Sequence, residues 1–362
     1  TSNHGFLKKL DNTATHFMNG AGNWATPLTA MSLPRTTQTT TYAPTTTDNG
    51  SEISFAGASA DATWTIAAGA TNGTGWFAIF NNPTTHNLTI KVTTNTIDGI
   101  AGATGFIMYP GEVRLVQCDG TNYFTTILNG GVATFTSSTT WQKPPGYSAF
   151  QINLMSSGGS GASRTTTGNA GGGAGGSGYE VTLPSSVFVA AGSTETVTVG
   201  GTSAGVSGNT AGNAKNASSL TVNGTAFSNV VTGAAAATAA SSSAATGGAS
   251  DIAVSISSNT QGNGESRFRG GTGGDVTSGN VPEGSLINSV FGGGGGGASS
   301  STAGGVRTGG ASLTAGAGGA GGANTGGNGT NGTAPGGGGG GAVQGGTSGS
   351  GAAGQVIIRG II

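Results

Sequence analysis

Two runs of six glycines, Gly292 to Gly297 and Gly336 to Gly341, with broken Gly-Gly steps between them, set the terms for the last third of this chain. No charged residue occurs from Thr308 to Ile358. Such a segment cannot build an ordinary core, because it has almost no apolar side chains to bury. Glycine also gives up more backbone entropy on ordering than any other residue, roughly 0.5–1 kcal/mol relative to Ala. Two states are open to it. Either it stays disordered, as Gly-rich composition without a period does, or its backbones pack directly on one another.

Direct packing has a physical route. Glycine takes up the extended left-handed threefold helix, with ~3.1 Å rise per residue and no internal hydrogen bonds. Its N–H and C=O groups then point outward and must find partners. Neighbouring glycine helices supply them, because no Cβ keeps the chains apart. Each such bond contributes only ~0.5–1.5 kcal/mol net, so many have to form together. Collagen is the rival, but it needs Gly at every third position, and the stretch from Ala315 to Gly332 breaks that period repeatedly. The segment is therefore read as a sandwich of glycine helices.

Charge and cysteine content narrow the function. The 362 residues carry 12 Lys+Arg against 13 Asp+Glu, net −1, which leaves no basic stripe to neutralise phosphates, so nucleic acid is not expected as a partner. The single cysteine, Cys118, excludes an intrachain disulfide. Placed where a strand runs into Asp119-Gly120, it reads as a small packed hydrophobe. No apolar run approaches the ~20 residues of a membrane-spanning helix, so no membrane insertion is expected. The start, Thr1-Ser-Asn-His-Gly5, lacks the basic and apolar regions of a signal peptide. That reads as release inside a cell followed by assembly into a particle.

Residues 1–50 read as extended. Their apolar anchors (Phe6, Leu7, Leu10, Phe17, Met18 and Trp24) are separated by Asn-Gly and Ala-Gly-Asn punctuation. A segment this thin cannot fold alone, but copies of it wound around each other would cover those anchors. The stretch Phe17-Met-Asn-Gly-Ala-Gly-Asn-Trp-Ala-Thr-Pro27 resembles a signature of bacteriophage tail-fibre proteins, where it marks a trimeric shaft or neck. A Thr/Pro-rich connector follows it.

From 51 to 130, short segments rich in β-branched and aromatic residues recur about every 8–12 residues, which is the spacing of an antiparallel sandwich. They include Ile53–Phe55, Thr63–Ile66, Trp76–Phe80, Leu88–Val92, Phe106–Tyr109, Val113–Cys118 and Tyr123–Ile127. Asn72-Gly73, Asp98-Gly99 and Asp119-Gly120 punctuate them as turns. Ile97-Asp-Gly99, Tyr109-Pro-Gly-Glu-Val113 and Asp119-Gly-Thr-Asn-Tyr123 also resemble a small β module of phage tail and fibre proteins, in which these positions are turns and strands.

Further on, Thr140-Trp-Gln-Lys-Pro144, the Gly171 to Gly176 run, Thr196-Val-Thr-Val-Gly-Gly201 and the closing Gln355-Val-Ile-Ile-Arg359 resemble the glycine-rich terminal domain of phage tail fibres. Ser156-Ser-Gly-Gly-Ser160 and the Ala/Ser-rich insert from Gly233 to Ser250 depart from that pattern. Asn223-Gly224, between Leu220–Val222 and Thr225–Phe227, reads as a type I′ hairpin, so the domain is expected to combine sheet and glycine helices. The expected organisation is mainly β and trimeric. An attachment and trimerisation segment (1–50) leads to a small antiparallel β-sandwich (51–130). The β-rich start of a glycine-rich domain (131–232) and a polyglycine-rich distal domain (233–362) follow.

Little in the sequence points to chemistry. Gly171 to Gly176 lacks the strand-then-helix context of a nucleotide loop, and no Gly-Lys-Ser/Thr occurs. His4, His16 and His86 lie far apart with no companion at metal-ligand spacing, so neither cofactor nor metal is expected. Glycan hydrolysis needs two carboxylates ~5–9.5 Å apart. Asp98, Glu112 and Asp119 share one β module, but each lies in or beside a turn where a carboxylate has local hydrogen bonds to make. Recognition fits better. In the glycine-rich half, polar and bulky residues concentrate between Asp251 and Phe291, with Arg307 beyond them. Arg267, Phe268, Arg269, Asp275, Phe291 and Arg307 are the candidate receptor contacts, since Arg and aromatic residues anchor binding surfaces. The structural reading is that the two Phe cap the bundle and the Arg keep it soluble.

The resemblance implies a virion tail fibre. Residues 1–50 would meet other tail proteins, the chain would form a homotrimer, and the glycine-rich end would bind a host surface glycan or outer-membrane component. A purely structural fibre or capsid decoration, and a polysaccharide-degrading tail enzyme, are the alternatives.

Overall fold

The protein's structure, a computed structural model, describes residues 33–228, 292–299, 307–323 and 326–362, with the short strands Phe17–Met18, Trp24–Ala25, Ala239–Ala240, Ser255–Ile256 and Asn263–Phe268. The fold is mainly β. Phe17–Met18 and Trp24–Ala25 pair antiparallel. The rest of the 1–32 segment and the Ala/Ser-rich insert, apart from Ala239–Ala240, lie outside the described residues.

The first module is a sandwich. One sheet has seven strands in the order Arg35–Thr37, Ser51–Ser54, Thr74–Asn81, Val113–Asp119, Tyr123–Asn129, Thr96–Ile97, Ile100–Ala101. Facing it are Phe106–Met108, Leu88–Val92 and Ala62–Ile66. Alternate residues point between the sheets, so Trp64, Trp76, Phe80, Ile90, Phe106 and Tyr123 form a closed core. Trp64 meets Phe55 and Phe80 edge-on, at centroid distances of 6.0 and 5.3 Å. Cys118 belongs to this core, 4% exposed, as the sequence suggests.

The sandwich mixes parallel with antiparallel pairs, where the repeat spacing alone suggests hairpins throughout. Arg35–Thr37 with Ser51–Ser54, Ser51–Ser54 with Thr74–Asn81, and Ala62–Ile66 with Leu88–Val92 are parallel. The reason is that the chain alternates between sheets. After Arg35–Thr37, Tyr42 bridges to Trp64 in the second sheet before the chain returns at Ser51. Each connection therefore crosses the core, and neighbours within a sheet run the same way.

The second module opens as another sandwich. Val132–Phe135, Gln355–Ile361, Ala149–Met155, Gly178–Pro184 and Asn263–Phe268 form one sheet. Thr139–Gln142, Thr194–Thr198, Ser219–Val222, Thr225–Ser228 and Ser255–Ile256 form the other. Strands near residue 132 and at the C-terminus thus share one sheet. Between the sheets lie Trp141, Phe150, Leu154, Tyr179, Val197 and Ile358, with others. Asn223 (φ 46°) and Gly224 (φ 80°) make the expected type I′ turn.

The two modules share a buried seam. Tyr109 and Ile127 of the first belong to the core of the second. Arg114, fully buried, donates from Nε to Glu112 Oε1 (2.5 Å), from Nη1 to Thr125 Oγ1 (2.7 Å) and from Nη2 to the Pro145 carbonyl (2.8 Å). Its guanidinium lies 4.7 Å from the Phe106 ring centroid and 5.6 Å from that of Tyr147. Burial pushes the Glu112 carboxyl above its ordinary range, while the charge and hydrogen bond of Arg114 pull it down.

Candidate functional site

Past its sandwich the second module becomes a lattice of extended glycine-rich runs. Residues 156–163 continue the Ala149–Met155 strand, 171–176 lead into Gly178–Pro184, and 346–354 lead into Gln355–Ile361. The neighbour relations of the sheet persist into these runs: Ser156 N bonds to Ser177 O, and Gly158 N to Ala352 O.

The central member is the run 336–342. Gly337 and Gly340 donate to Thr333 and Thr330, Gly338 and Gly341 to Gly293 and Gly296, and Gly339 and Ala342 to Gly159 and Ala162. In return, the carbonyls of Gly337 and Gly340 accept from Ala352 and Gly349, those of Gly338 and Gly341 from Gly319 and Gly322, and that of Gly339 from Gly173. Partners repeat every third residue, which is the signature of a threefold extended helix. The run therefore touches three neighbours through its donors and three through its acceptors. Every peptide group from 337 to 341 is satisfied. The same period holds for 156–163, whose N–H groups bond in rotation to the runs 171–177, 210–216 and 349–352.

This packing requires glycine for reasons of space. A Cβ at Gly337, Gly338, Gly339 or Gly340 would fall under 3.0 Å from a backbone carbonyl of a neighbouring run. Where a run meets the lattice edge, side chains return and bond to backbone: Ser157 Oγ and Ser160 Oγ accept from the N–H groups of Asn216 and Asn213. The serines at 156–160 that depart from the usual pattern thus reinforce the packing. Ser156 Oγ accepts from Ser177 N in the same way.

The end of the lattice remote from the sandwich is built of loops. Ser163 to Gly168 link two runs, and Asn209 Oδ1 accepts from both N and Oγ1 of Thr165. Gly345 N donates to the Arg164 carbonyl (2.8 Å), and Ser163 Oγ to the Gly346 carbonyl (2.7 Å). Arg164 Nη2 donates to Thr166 Oγ1 (3.2 Å), whereas its Nε is buried without a partner. Arg307 lies at the same end: its carbonyl accepts from Gly321 N, and it borders Gly296, which in turn bonds to Gly341. Arg307 Nε is likewise buried and unpartnered. The described loops of this end carry two cations and no carboxylate.

Of the residues singled out in the sequence, Arg307 sits at this remote end. Arg267 and Phe268 close the Asn263–Phe268 strand, paired with Tyr179 and Gly178, at the base of the lattice. The described structure therefore separates them from Arg307 by the length of a glycine run. Arg269, Asp275 and Phe291 lie outside the described residues. Arg164 was not among the sequence candidates, although its setting, a Ser-Arg-Thr-Thr-Thr link between two glycine-rich runs, carries the same loop signal.

The carboxylates weighed for hydrolysis have structural partners. Asp98 accepts from N and Oγ1 of Thr125 (2.8 and 2.6 Å), and Glu112 from Tyr109 N and Arg114. Asp119 Oδ1 accepts from the N–H groups of Thr121 and Asn122, which hold its carboxyl below the ordinary range. Among the described residues, no group of three His, Cys, Asp or Glu side chains could hold a metal ion, and no helix is long and apolar enough to cross a membrane.

Fold and lattice together define a β-sandwich protein extended by packed polyglycine helices. The chain belongs to the glycine-rich domain family, whose model matches residues 133–360. No curated protein matches it in sequence.

Proposed function

We propose that the chain is a phage tail-fibre protein that binds a host cell-surface receptor, a glycan or outer-membrane component, during adsorption. In this reading it is a homotrimer of the virion surface, residues 1–50 join it to other tail proteins, and it carries no enzymatic activity. The observation that carries the reading is the lattice itself. A bundle held by peptide groups presents its end loops on a stiff base, and binding residues are disproportionately borne on loops positioned by a rigid scaffold. At the remote end Arg164 and Arg307 supply guanidinium donors that suit sugar hydroxyl, carboxylate or phosphate groups. The tail-fibre resemblance of Phe17–Pro27 and of the glycine-rich half supports the same reading.

The test is competition. The full-length protein, added to susceptible bacteria ahead of phage, blocks adsorption, and the Arg164→Ala/Arg307→Ala variant blocks it at least tenfold less. A wild-type protein that neither binds cells nor slows adsorption overturns the reading. Release of oligosaccharides from host polysaccharide would point instead to the enzymatic alternative.

A further inference from the structure

The glycine lattice carries charge of opposite sign to the chain as a whole. Residues 156–179, 199–223 and 292–358 contain three cations, Arg164, Lys215 and Arg307, and no Asp or Glu, whereas the chain is net −1. Lys215 spends its ammonium inside, on the Gly175 carbonyl (3.2 Å) and Ser177 Oγ (2.9 Å). Arg164 and Arg307, half-buried at the remote end, are the two left to face outward.

Neither guanidinium is balanced within the fold. Arg35 and Arg114 are ion-paired with Glu52 and Glu112, but among the described residues Arg164 and Arg307 meet no carboxylate. Each has its Nε sealed from water without a hydrogen bond. A charged donor held so costs free energy that the fold does not return. An anion at the Nη groups offsets that cost. It does so more strongly than at a freely hydrated Lys, because guanidinium is more weakly hydrated and the surrounding dielectric is lower. Nη2 of Arg164 is already anchored on Thr166 Oγ1 (3.2 Å), so less rotamer freedom remains to be lost on binding.

The lattice holds the pair at one end. Arg164 N donates to the Ala342 carbonyl (3.1 Å), Gly322 N to that of Gly341 (2.8 Å), and Gly321 N to that of Arg307 (2.8 Å). Three chain-to-chain steps of roughly 5 Å therefore separate the two backbones. Around them the exposed side chains of the described loops are hydroxyls and amides: Thr165, Thr166, Thr167, Ser207, Asn209 and Gln344. Val343 is fully buried, and no aromatic residue occurs in 163–168, 206–210 or 343–346. Protein interfaces are anchored on aromatic and apolar residues at their core, which these loops lack. A neutral sugar would find hydrogen bonds alone, and water competes for those. Charge-assisted bonds are about twice as strong, so the group that fits is acidic.

We infer that the remote end recognises an acidic saccharide, whose carboxylate or phosphate groups are held by Arg164 and Arg307 while its hydroxyls meet the surrounding Thr, Asn and Gln side chains. The inference rests on the receptor reading above and names the chemical class of that receptor.

Binding of the full-length protein to immobilised mannan, phosphomannan and carboxymethyl-dextran at physiological salt tests it. At least one acidic polymer is expected to bind about tenfold or more tighter than mannan. Phosphomannan alone identifies phosphate, carboxymethyl-dextran alone identifies carboxylate, and both together mean that either group serves. Arg164→Lys/Arg307→Lys, which keeps both charges but loses the planar forks, weakens that binding about fivefold or more. Arg359→Ala, which removes an exposed cation from the sandwich, leaves it unchanged. Mannan bound as tightly as the acidic polymers, binding to none of the three, a Lys pair as tight as the wild type, or an Arg359→Ala variant as weak as the Lys pair overturns the inference. So does cell binding that protease treatment of the bacteria abolishes, since the receptor would then be a protein. A protein that binds an acidic polymer but does not slow adsorption overturns the receptor reading alone.

Discussion

The Nε of Arg114 lies 2.5 Å from Oε1 of Glu112, and both side chains are sealed from solvent at the seam between the two modules. An ion pair so placed is a weak source of net stability but is costly to break, because either partner left alone is a buried, uncompensated charge. Arg114→Met therefore lowers the unfolding free energy by about 3–5 kcal/mol, read as a shifted midpoint in urea. Arg114→Met combined with Glu112→Gln recovers part of the loss. A single variant as stable as the wild type would mean that the pair is not closed to water.

Glycine in the central run is required by space, so substitutions divide by position. Gly339→Ala sets a methyl group against the Gly349 carbonyl, with backbone on every side to resist a shift. It is expected to cost about 3 kcal/mol or more, at the upper end for overpacking. Gly201 has nothing within 4 Å of a built Cβ, so Gly201→Ala is expected to be neutral or to stabilise by about 0.4–1 kcal/mol through the unfolded chain. Thermal melts of the two variants make the comparison.

The tyrosines give a pH signature. Burial raises the phenols of Tyr109, Tyr123 and Tyr147 well above their ordinary value, and that of Tyr42 to about 12. A group whose folded pKa lies above its unfolded value of about 10 contributes stability that is fully present below pH 10. That stability is lost as pH rises through the folded value. Ultraviolet absorbance should therefore show little phenolate at pH 10, and then a rise coincident with loss of β circular dichroism. Titration at pH 10 in a still-folded protein would contradict the burial of these rings.

The remote loops predict unequal effects. Arg164→Ala or Arg307→Ala alone weakens cell binding by less than the pair of changes, and neither moves the melting temperature by more than a degree or two, since surface changes usually stay within ±0.5 kcal/mol. Arg267→Ala, at the base of the lattice, leaves cell binding unchanged if only the remote end meets the receptor. Binding of labelled protein to whole cells distinguishes these outcomes.

Much of the fold can be read from sequence because its signals are local. Alternating Trp76, Ala78 and Phe80 announce a strand, Asn223-Gly224 a tight hairpin, and the hexaglycine runs a bundle without side chains. What escapes is long-range. The parallel pairs of the first sandwich follow from connections that cross the core, and nothing in the spacing of Ile53 or Trp64 tells a crossing from a hairpin. That Gly336 to Gly341 is the central run while 200–206 lies at the edge depends on bringing together partners from several other stretches of chain, some of them, such as Gly159 and Gly173, more than a hundred residues away in sequence. The site was partly legible for the same reason. Composition drew the eye to 251–291, whereas Arg164 gains its place only when the lattice brings its loop beside Val343–Gly346.

Amide hydrogen exchange across residues 337–341 tests the lattice most directly. Each of these N–H groups is bonded to a neighbouring run within a fully enclosed helix, so protection should approach that of the Ala149–Met155 strand and exceed that of the run 200–206. Exchange at the rate of an unstructured glycine peptide would mean that these backbones do not hold one another, and the stiff base for the remote loops would be gone.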